Sequence, residues 1–449
     1  MAIMNDFSTK LYLDFNTELT NATTISRLAL NIFFKKYSAK IPYINNQTMY
    51  NFIKKGYFGG ITEVYKPYGE NLKLIDVNSL YPYAALNPLP GLNSTYIDSL
   101  DSEKNLELDN LFGFFCARVK SPAKPIYFGL LPVNTPKGLI FPSGSFSGVW
   151  SSEELKFAKS HGYSIQVIKG FNFDRQNSSL TSYINTLYKQ KSEATGSRKT
   201  IFKSLLNNLI GRFGMHINKP ITIEVDIAKR DYIASTRVIK TQHHLFNNRF
   251  LITYLPQISK EICEEHNLDY TKVLEQENKK NTSLEIKTFK DTSIAVTAMI
   301  NSYARIYMNK IKLDLLDHKM HIYYMDTDSL VIDAQAFYYL NNQELIGNKL
   351  GQFKLENNIN KAYFISNKTY CFSLNDSDTD ILIKAKGVNK NTLTLQDFVD
   401  LYNEKDIKTN RRNTLINYEK ASVSIKNKEI ILRHDSFTKR VKIYDDERR

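Results

Sequence analysis

The chain has 449 residues, enough for two or three domains or for one large enzyme with several lobes. Its 60 lysine and arginine residues outnumber its 46 aspartate and glutamate residues, and the net charge of +14 favours an anionic partner, with nucleic acid as the first candidate. The three cysteines form no C-x-x-C pair and no run approaches the roughly 18 apolar residues of a membrane span, so the composition indicates neither a cysteine zinc site nor a membrane protein.

The first half of the chain alternates between predicted helices and short strands. Apolar residues recur at helical spacing over residues 21–37, together with Asn and Thr residues that favour a helix start. A Gly-Gly turn at 59–60 precedes two predicted strands, and the second lies within LKLIDV and ends on Asp76. Prolines between 88 and 145 indicate the short strands and loops of an inserted subdomain, and residues 180–215 predict helices rich in basic side chains.

The second half contains a long predicted helix and a hairpin with two aspartates. Residues 220–290 are mixed and polar and predict a second exposed insertion, and Ser293–Leu316 predicts a long helix. In YYMDTDSLVID, at 323–333, apolar strands flank Asp326 and Asp328 and predict a hairpin tip. Like charges this close repel, so the motif favours a bound cation. An aspartate-rich polar turn is the alternative when this motif is taken alone.

Asp76 and the two hairpin aspartates together could bind the metal ions of a phosphoryl-transfer site. Two divalent cations about 3.5 to 4 Å apart, bridged by carboxylates, clamp the attacking and leaving oxygens of an in-line phosphoryl transfer. Mg²⁺ suits such a site because it prefers oxygen ligands and binds through one or two carboxylates plus substrate phosphates. A strand-ending aspartate on its own is more often a turn former, so this interpretation depends on all three carboxylates being present.

A basic helix face is the third chemical element. In KSLLNNLIGRFG, at 203–214, helical spacing places Lys203, Asn207 and Ile210 on one face, with Lys199 one turn earlier. Such a face can hold a triphosphate at one end and a base at the other. A solvated basic surface is the alternative for this segment alone.

These segments carry a resemblance to a known family. Three of them resemble motifs A, B and C of family B DNA polymerases, in that order: DVNSLYP at 76–82, KSLLNNLIGRFG at 203–214 and YMDTDS at 324–329. Three more narrow the resemblance to the protein-primed branch of bacteriophages, adenoviruses and linear mitochondrial plasmids: YFGG at 57–60, KTY at 368–370 and KAKG at 384–387. The resemblance covers roughly residues 25–445.

The resemblance implies an α+β right-hand polymerase fold. Its palm is an antiparallel sheet with helices, its fingers are helical, its thumb is small and β-rich, and two insertions interrupt it. The implied segments are a remnant before the palm at 1–56, palm at 57–90, an insertion that contacts a terminal protein at 91–180, fingers at 181–218, a second insertion at 219–290, palm at 291–387 and thumb at 388–449. Only 56 residues precede Tyr57, so we expect no 3′-5′ exonuclease domain and no proofreading.

The resemblance also implies roles for individual residues. The catalytic carboxylates would be Asp76, Asp326 and Asp328, with two Mg²⁺ ions, replaceable by Mn²⁺, held by Asp76, Asp328 and the carbonyl of Val77, and with Asp326 in a supporting role. The implied nucleotide-binding residues are Val77, Ser79, Leu80, Tyr81, Lys191, Lys199, Lys203, Asn207 and Ile210. The implied DNA-binding residues are Tyr57, Gly59, Gly60, Thr327, Lys368, Tyr370 and Lys384.

Two of these positions bear on nucleotide choice. The ring of Tyr81 would lie under the incoming sugar and exclude a 2′-hydroxyl, which implies a preference for deoxynucleotides. Motif B departs from the family pattern, with Asn208 where a serine is usual and Ile210 where a tyrosine is usual. Because Ile210 lacks an aromatic face and a hydroxyl, we expect looser nucleotide selection.

The implied function is a DNA-directed DNA polymerase that adds deoxynucleotides to a primer 3′-hydroxyl or to a terminal-protein hydroxyl. Its partners would be template and primer DNA, deoxynucleoside triphosphates and a terminal protein, with no membrane and no zinc. The implied location is the mitochondrion, with an organelle or plasmid gene, or otherwise the compartment of a phage or linear plasmid host.

Alternatives come from other classes of protein. A catalytically inactive DNA-binding remnant of such a polymerase is the main one. A reverse transcriptase or viral RNA polymerase would be expected to read x-x-D-D and not D-T-D. A nuclease is less favoured still. A protein of anionic membrane surfaces is also less favoured, since the basic residues are spread along the whole chain and do not form a single polybasic anchor.

Overall fold

The computed structural model describes residues 2–434 apart from 23, 38–39, 45, 100–105, 123–127, 137, 216–219, 246, 281–291, 419 and 421. The chain divides into two compact units, the first formed by 1–214, 293–409 and 430–449, and the second by 215–292 and 410–429. The predicted boundaries of the second insertion, at 219 and 290, lie outside the described residues. The other predicted domain boundaries stay predictions.

Helices and strands occur in similar measure. The helices are, in chain order, α1 (Ala2–Phe15), α2 (Ile25–Tyr37), α3 (Gln47–Lys55), α4 (Leu80–Ala84), α5 (Ser152–Ser160), α6 (Thr181–Glu193), α7 (Gly196–Phe213), α8 (Ile227–Ala234), α9 (Lys260–Glu265), α10 (Tyr270–Lys280), α11 (Ile294–Asp317), α12 (Ala334–Asn342) and α13 (Leu395–Tyr402). The strands are β1 (Thr62–Val64), β2 (Tyr68–Val77), β3 (Leu89–Asp98), β4 (Gly113–Lys120), β5 (Val133–Thr135), β6 (Gly138–Ile140), β7 (Ser145–Ser151), β8 (Ser164–Gln176), β9 (Ile221–Val225), β10 (Arg237–His244), β11 (Phe250–Ile258), β12 (Ile322–Asp326), β13 (Ser329–Asp333), β14 (Phe353–Ser366), β15 (Thr369–Ser373), β16 (Ile381–Lys384), β17 (Ile407–Asn417) and β18 (Ser422–Leu432).

A seven-stranded sheet forms the centre of the first unit. Its strand order is β1-β12-β13-β2-β14-β15-β16, and each neighbouring pair is antiparallel. One cluster of its core joins Leu72 of β2, Val331 of β13 and Phe364 of β14, all of them buried. The predicted hairpin around the aspartate pair is confirmed as β12 and β13, while β2 ends at Val77, one residue later than predicted.

The long predicted helix is confirmed as α11, and it runs through the interior of the first unit. It contacts α3, α4, α5 and α7, and most of its residues are buried. A helix buried on nearly all sides is expected to contain few charged residues, yet Arg305 and Lys312 of this helix are only 2% and 1% exposed. Both therefore need partners inside the protein.

Other predicted elements also occur. The insertion after residue 88 is a four-stranded antiparallel sheet, with order β3-β8-β4-β7, on which α5 packs. The basic helical region is the pair α6 and α7, which pack against each other and against α2. Within the described ranges, none of the helices combines the length and the apolar character that crossing a bilayer requires.

The second unit has a small core of its own. Strands β10, β11 and β9 form an antiparallel sheet, and Val225, Ile233, Phe250 and Ile252 form an apolar cluster on it. Arg237 holds Glu277 of α10 at 2.6 Å. Strands β17 and β18 form a separate two-stranded ribbon whose residues are mostly exposed.

Candidate active site

Three neighbouring strands bring the predicted catalytic carboxylates together. Ser329 on β13 pairs with Asp326 on β12 on one side and with Asp76 on β2 on the other. Asp328 lies in the two-residue turn between β12 and β13, and its carbonyl accepts a 2.8 Å hydrogen bond from the backbone N–H of Val77. The turn therefore lies beside the end of β2, with Asp76 and Asp328 close enough for each to affect the other's charge.

The turn itself has an unfavourable backbone conformation. Thr327 has a φ of 63°, in the left-handed region that β-branched residues rarely adopt. Its N–H donates to the carbonyl of Ile61 at 2.7 Å, and a Cβ on Gly60 would lie 2.6 Å from its methyl carbon. Such a conformation persists only where the surroundings hold it. Ile61 thus holds the hairpin tip through this hydrogen bond, and the preceding YFGG segment can approach the tip closely because residue 60 is glycine.

Burial and mutual repulsion make the carboxylate pair hard to ionise. The pKa of Asp76 rises to about 7, first because the side chain is largely buried and then because Asp328 and Glu356 are negatively charged neighbours. The positive charges of Lys203 and Lys354 act in the opposite direction. Burial likewise raises the pKa of Asp328. A cation between the two carboxylates would stabilise their ionised forms and so offset both effects.

The pair suits a hard divalent cation that is shared with a substrate. Mg²⁺ keeps several waters and binds through one or two carboxylates plus substrate phosphates, and Asp76 and Asp328 supply that number. Among the described residues, no group of three or more His, Cys, Asp or Glu side chains is placed to hold a metal ion by itself. The residues present therefore fit Mg²⁺ bound jointly by the protein and a phosphate group.

Asp326 has a different environment from the other two carboxylates. Lys368 Nζ contacts its two oxygens at 2.8 and 2.7 Å, and the hydroxyl of Thr62 donates to it at 3.0 Å. The backbone N–H of Lys368 donates to the hydroxyl of Tyr324, whose ring lies 5.2 Å from that of Tyr370. A lysine of the chain thus neutralises Asp326, which is consistent with a supporting role.

Lysines of α6 and α7 lie within electrostatic reach of Asp76. Lys191 Nζ donates to the hydroxyl of Ser79 at 3.0 Å. Burial lowers the pKa of Lys191, and the positive charges of Lys203 and Lys199 lower it further, while Asp76 raises it. Three lysines that repel one another beside a carboxylate pair form a positively charged cluster suited to a triphosphate.

The predicted sugar-contacting residue lies next to this cluster. Ser79 has a φ of 59°, and α4 begins at the following residue, Leu80, which is buried. Burial raises the pKa of Tyr81 to about 12, and the negative charge of Asp328 contributes to the increase. Tyr57 is also within electrostatic reach of the phenol. Motif A, motif C and the YFGG segment thus meet around Tyr81.

A buried arginine supports the YFGG segment, and the sequence analysis missed it. The guanidinium of Arg305 contacts both carboxylate oxygens of Glu154 at 2.7 and 2.8 Å and donates to the carbonyls of Phe58 and Gly59 at 2.7 and 3.0 Å. Asn301, one turn earlier on α11, donates to the carbonyl of Phe58 at 2.9 Å. An arginine in the middle of an apolar helix was the signal for this contact.

Two predicted residues differ from the others in their setting. Ile210 is only 5% exposed, and its carbonyl accepts a hydrogen bond from Thr297, whereas Lys203 and Asn207 of the same helix are exposed. The side chain of Ile210 therefore offers little surface to a base in this structure. Lys384 lies on β16, the edge strand, which is three strands from β2.

Glu356 was not predicted from the sequence, but its negative charge contributes to the raised pKa of Asp76.

Comparison with known families agrees with this geometry. The model of a family described as DNA polymerase type B, organellar and viral, matches residues 1–317. The chain belongs to this family. Membership confirms the predicted relationship to family B DNA polymerases, which had been inferred from six short segments.

Relatives of the chain occur in fungi. A protein of Podospora anserina named "Probable DNA polymerase" is 42% identical over 459 residues, which cover 99% of the chain and 37% of that protein. A protein of the same name from Neurospora intermedia is 30% identical over 403 residues, covering 86% of the chain and 38% of that protein. The chain thus spans little more than a third of the length of these relatives.

Solved structures of phi29 DNA polymerase have the same fold as the chain. An orthorhombic crystal form matches with a TM-score of 0.65 and 16% identity, over 94% of the chain and 70% of that protein. The ternary complex with primer-template DNA and incoming nucleotide matches with a TM-score of 0.63, over 94% and 69%. At this identity the likeness concerns the fold alone, and it confirms the predicted α+β right-hand polymerase fold.

Proposed function

We propose that the chain catalyses DNA-directed DNA synthesis, adding deoxynucleotides to a primer 3′-hydroxyl. The observation that carries the proposal is the carboxylate pair Asp76 and Asp328, flanked by the lysine cluster of α6 and α7. Negative side chains that need a cation and positive side chains that need an anion lie together, as a metal-bound nucleoside triphosphate requires. Family membership supports the same reaction.

The proposed cofactor is a pair of Mg²⁺ ions, which Mn²⁺ can replace. Asp76, Asp328 and the carbonyl of Val77 would hold them. Bound there, the ions would lower the pKa of the primer hydroxyl and neutralise charge on the phosphates.

The side chains of the protein bind and orient the substrates. Lys191, Lys199 and Lys203 would bind the triphosphate and stabilise the charge that develops on the departing pyrophosphate. Asn207 is exposed on α7, as Lys199 and Lys203 are, and would contact the base. Tyr81, on the short helix after motif A, would pack against the sugar and exclude a 2′-hydroxyl.

DNA contacts form the next part of the proposal. Tyr57, Gly59 and Gly60 would hold the template strand, supported from behind by Arg305. The proposed primer-side contacts are Thr327, Lys368, Tyr370 and Lys384. Lys368 carries particular weight because its ammonium group already lies at the hairpin tip that carries the catalytic carboxylates.

Further parts of the proposal concern priming, proofreading and location. The sheet within 91–180 is proposed to contact a terminal protein whose hydroxyl serves as the first acceptor, in keeping with the predicted protein-primed branch. This chain alone is proposed to lack 3′-5′ proofreading. The proposed location is the mitochondrion, supported by the organellar and viral family and by the fungal relatives.

Primer extension with Mg²⁺ and four deoxynucleotides tests the proposal. We expect the wild-type chain to extend a primed template, and Asp328→Asn to reduce the rate by about 100- to 1,000-fold or more, the range for loss of one electrostatic stabiliser. Asp378→Asn is the matched control, because Asp378 pairs with Lys361 at 3.1 Å and contacts neither the carboxylate pair nor the lysine cluster in the hydrogen bonds of the described residues.

Two further outcomes complete the test. A mismatched primer 3′ end should remain untrimmed, and trimming by the purified chain would contradict the absence of proofreading. If the chain binds primed DNA but extends it with neither Mg²⁺ nor Mn²⁺, the polymerase proposal fails and the protein is an inactive DNA-binding remnant.

A further inference from the structure

A compact loop between α12 and β14, residues 345–352, lies against motif A. We call it the palm loop. Asn78, which immediately precedes Ser79, binds it three times: its N–H donates to the carbonyl of Gln352 at 2.8 Å, its carbonyl accepts from Gly351 N–H at 3.1 Å, and its side-chain amide donates to the carbonyl of Gly347 at 2.8 Å. The palm loop and motif A are thus joined by backbone and side-chain bonds.

The palm loop is also held from its other side. The hydroxyl of Tyr307, on α11, donates to the carbonyl of Gly351 at 2.6 Å. Gly351 has a φ of 87°, and a Cβ there would lie 2.5 Å from the ring of Tyr83. Because only glycine adopts this conformation freely and leaves room for that ring, the loop has one well-defined position.

A tyrosine of the fingers reaches this loop across 160 residues of sequence. The hydroxyl of Tyr188, on α6, donates to the carbonyl of Asn348 at 2.7 Å. Lys191 lies three residues later on the same helix, and its Nζ is 4.8 Å from the centre of the Tyr188 ring. Residues three apart share one face of a helix, so Tyr188 and Lys191 point to the same side.

The two side chains contact two parts of one fixed structure. Tyr188 binds the palm loop, and Lys191 binds Ser79, which follows the Asn78 that anchors that loop. A hydroxyl-to-carbonyl bond so close to Lys191 limits how far α6 can rotate or slide against the palm. The position of the Lys191 ammonium group therefore depends on the Tyr188 hydroxyl.

We propose that Tyr188 is a positioning residue that docks α6 on the palm loop and thereby sets the reach of Lys191 toward the triphosphate of the incoming nucleotide. This inference rests on the proposed polymerase function. Because the proposed contact between Lys191 and the triphosphate forms as soon as the nucleotide binds, loss of the Tyr188 hydroxyl should lower nucleotide affinity more than it slows the chemical step.

The test compares Tyr188→Phe, which removes only the hydroxyl, with the wild type. One measurement is the Kd for the correct deoxynucleotide on a complex with a dideoxy-terminated primer, which requires no turnover. The other is the KM and kcat of single-nucleotide insertion. We expect Kd and KM to rise roughly two- to tenfold, the usual effect of losing one hydrogen bond, with kcat changed less than about twofold. Tyr339→Phe is the matched control, because the Tyr339 hydroxyl binds Asp314.

A double-mutant cycle separates positioning from general stabilisation. In a Lys191→Met background, Tyr188→Phe should cause no further rise in Kd, because the lysine through which it acts is gone. An equal rise in both backgrounds, a Kd unchanged from the wild type, or a fall in kcat at constant KM would overturn the inference. If the wild-type complex binds no deoxynucleotide, the proposed polymerase function itself fails. If the wild type binds deoxynucleotide and Tyr188→Phe binds it with the same Kd, only the inference about Tyr188 fails.

Discussion

In the interior of the first unit, Arg305 and Glu154 form an ion pair whose side chains are 1% and 2% exposed, whereas at the hairpin tip the side chains of Lys368 and Asp326 are 55% and 24% exposed. Both pairs have a closest contact of 2.7 Å, so distance does not distinguish them. Burial does, because a buried charge that loses its partner has no water to replace it, whereas an exposed one does. The first pair is a fixed part of the fold, and the second could exchange partners on the proposed binding of DNA.

Breaking the buried pair should have the largest effect. Glu154→Gln leaves the guanidinium of Arg305 without a neutralising charge, and we expect a loss of about 3 to 5 kcal/mol in the free energy of unfolding, measured by urea denaturation. Replacing both partners, as Glu154→Leu with Arg305→Met, should recover part of this loss, although the YFGG segment would lose its hydrogen bonds from Arg305.

Glu153→Gln is the control for that experiment. Glu153 precedes Glu154 in α5 and pairs with Lys156 at 3.0 Å, but its side chain is 13% exposed. We expect a loss of no more than about 1 kcal/mol from this change. A similarly small loss for Glu154→Gln would remove the distinction between the two regions.

Breaking the exposed pair should affect activity and leave stability unchanged. Lys368→Met removes the cation from Asp326 and from the proposed primer contact, and we expect primer extension to slow by roughly 10- to 100-fold, as for small misplacements of reacting groups. Its melting temperature should match that of the wild type within about 1 °C, because exposed pairs contribute little to stability.

Lys405→Met provides the matched comparison for Lys368. Lys405 pairs with Asp400 at 3.0 Å, with side chains that are 66% and 25% exposed. Lys405 and Lys368 therefore form ion pairs of similar exposure at different positions in the fold. Extension by this variant should equal that of the wild type. Equal losses in both variants would mean that lysine charge in general, and not the hairpin tip, determines the rate.

The carboxylate pair Asp76 and Asp328 allows a test with a smaller expected effect. Lys368 forms hydrogen bonds to Asp326, but among the described residues no lysine or arginine forms a hydrogen bond to Asp76 or Asp328. Mg²⁺ should raise the melting temperature by roughly 1 to 3 °C at concentrations near ten times its Kd, because it binds the folded chain. Asp76 must lose its proton to bind the ion, and its pKa of about 7 makes the shift larger at pH 8 than at pH 6.

Asp328→Asn should abolish this thermal shift, whereas Asp378→Asn should retain it. Differential scanning calorimetry with and without Mg²⁺ gives the result directly. A shift of equal size in Asp328→Asn would mean that the ion binds elsewhere on the chain.

Elements governed by local sequence were predictable. Apolar spacing identified α11, and the alternation of apolar residues around an aspartate pair identified the β12–β13 hairpin, because both patterns depend on neighbouring residues. The placement of Asp76 beside that hairpin required the resemblance to a family, since the pairing joins residues about 250 positions apart.

Contacts between distant residues were not predictable in the same way. Arg305 and Glu154 are 151 positions apart, and Tyr188 and Asn348 are 160 positions apart. The sequence around each of these residues does not indicate which residue it contacts. The positive φ of Thr327 could not be predicted because a glycine would be expected at such a turn. The conformation depends instead on contacts with Ile61 and Gly60. A buried charge could be suspected from sequence, but its partner could not.

The two-stranded β17–β18 ribbon has a consequence for handling the protein. Leu415, Ile416, Val423 and Ile425 are 48%, 54%, 66% and 66% exposed, on strands that have a free edge. Lysines and arginines along the same strands keep such ribbons apart at low ionic strength by mutual repulsion. High salt weakens that repulsion while leaving the apolar side chains exposed, so we expect chains to associate edge to edge more readily at high ionic strength than at low.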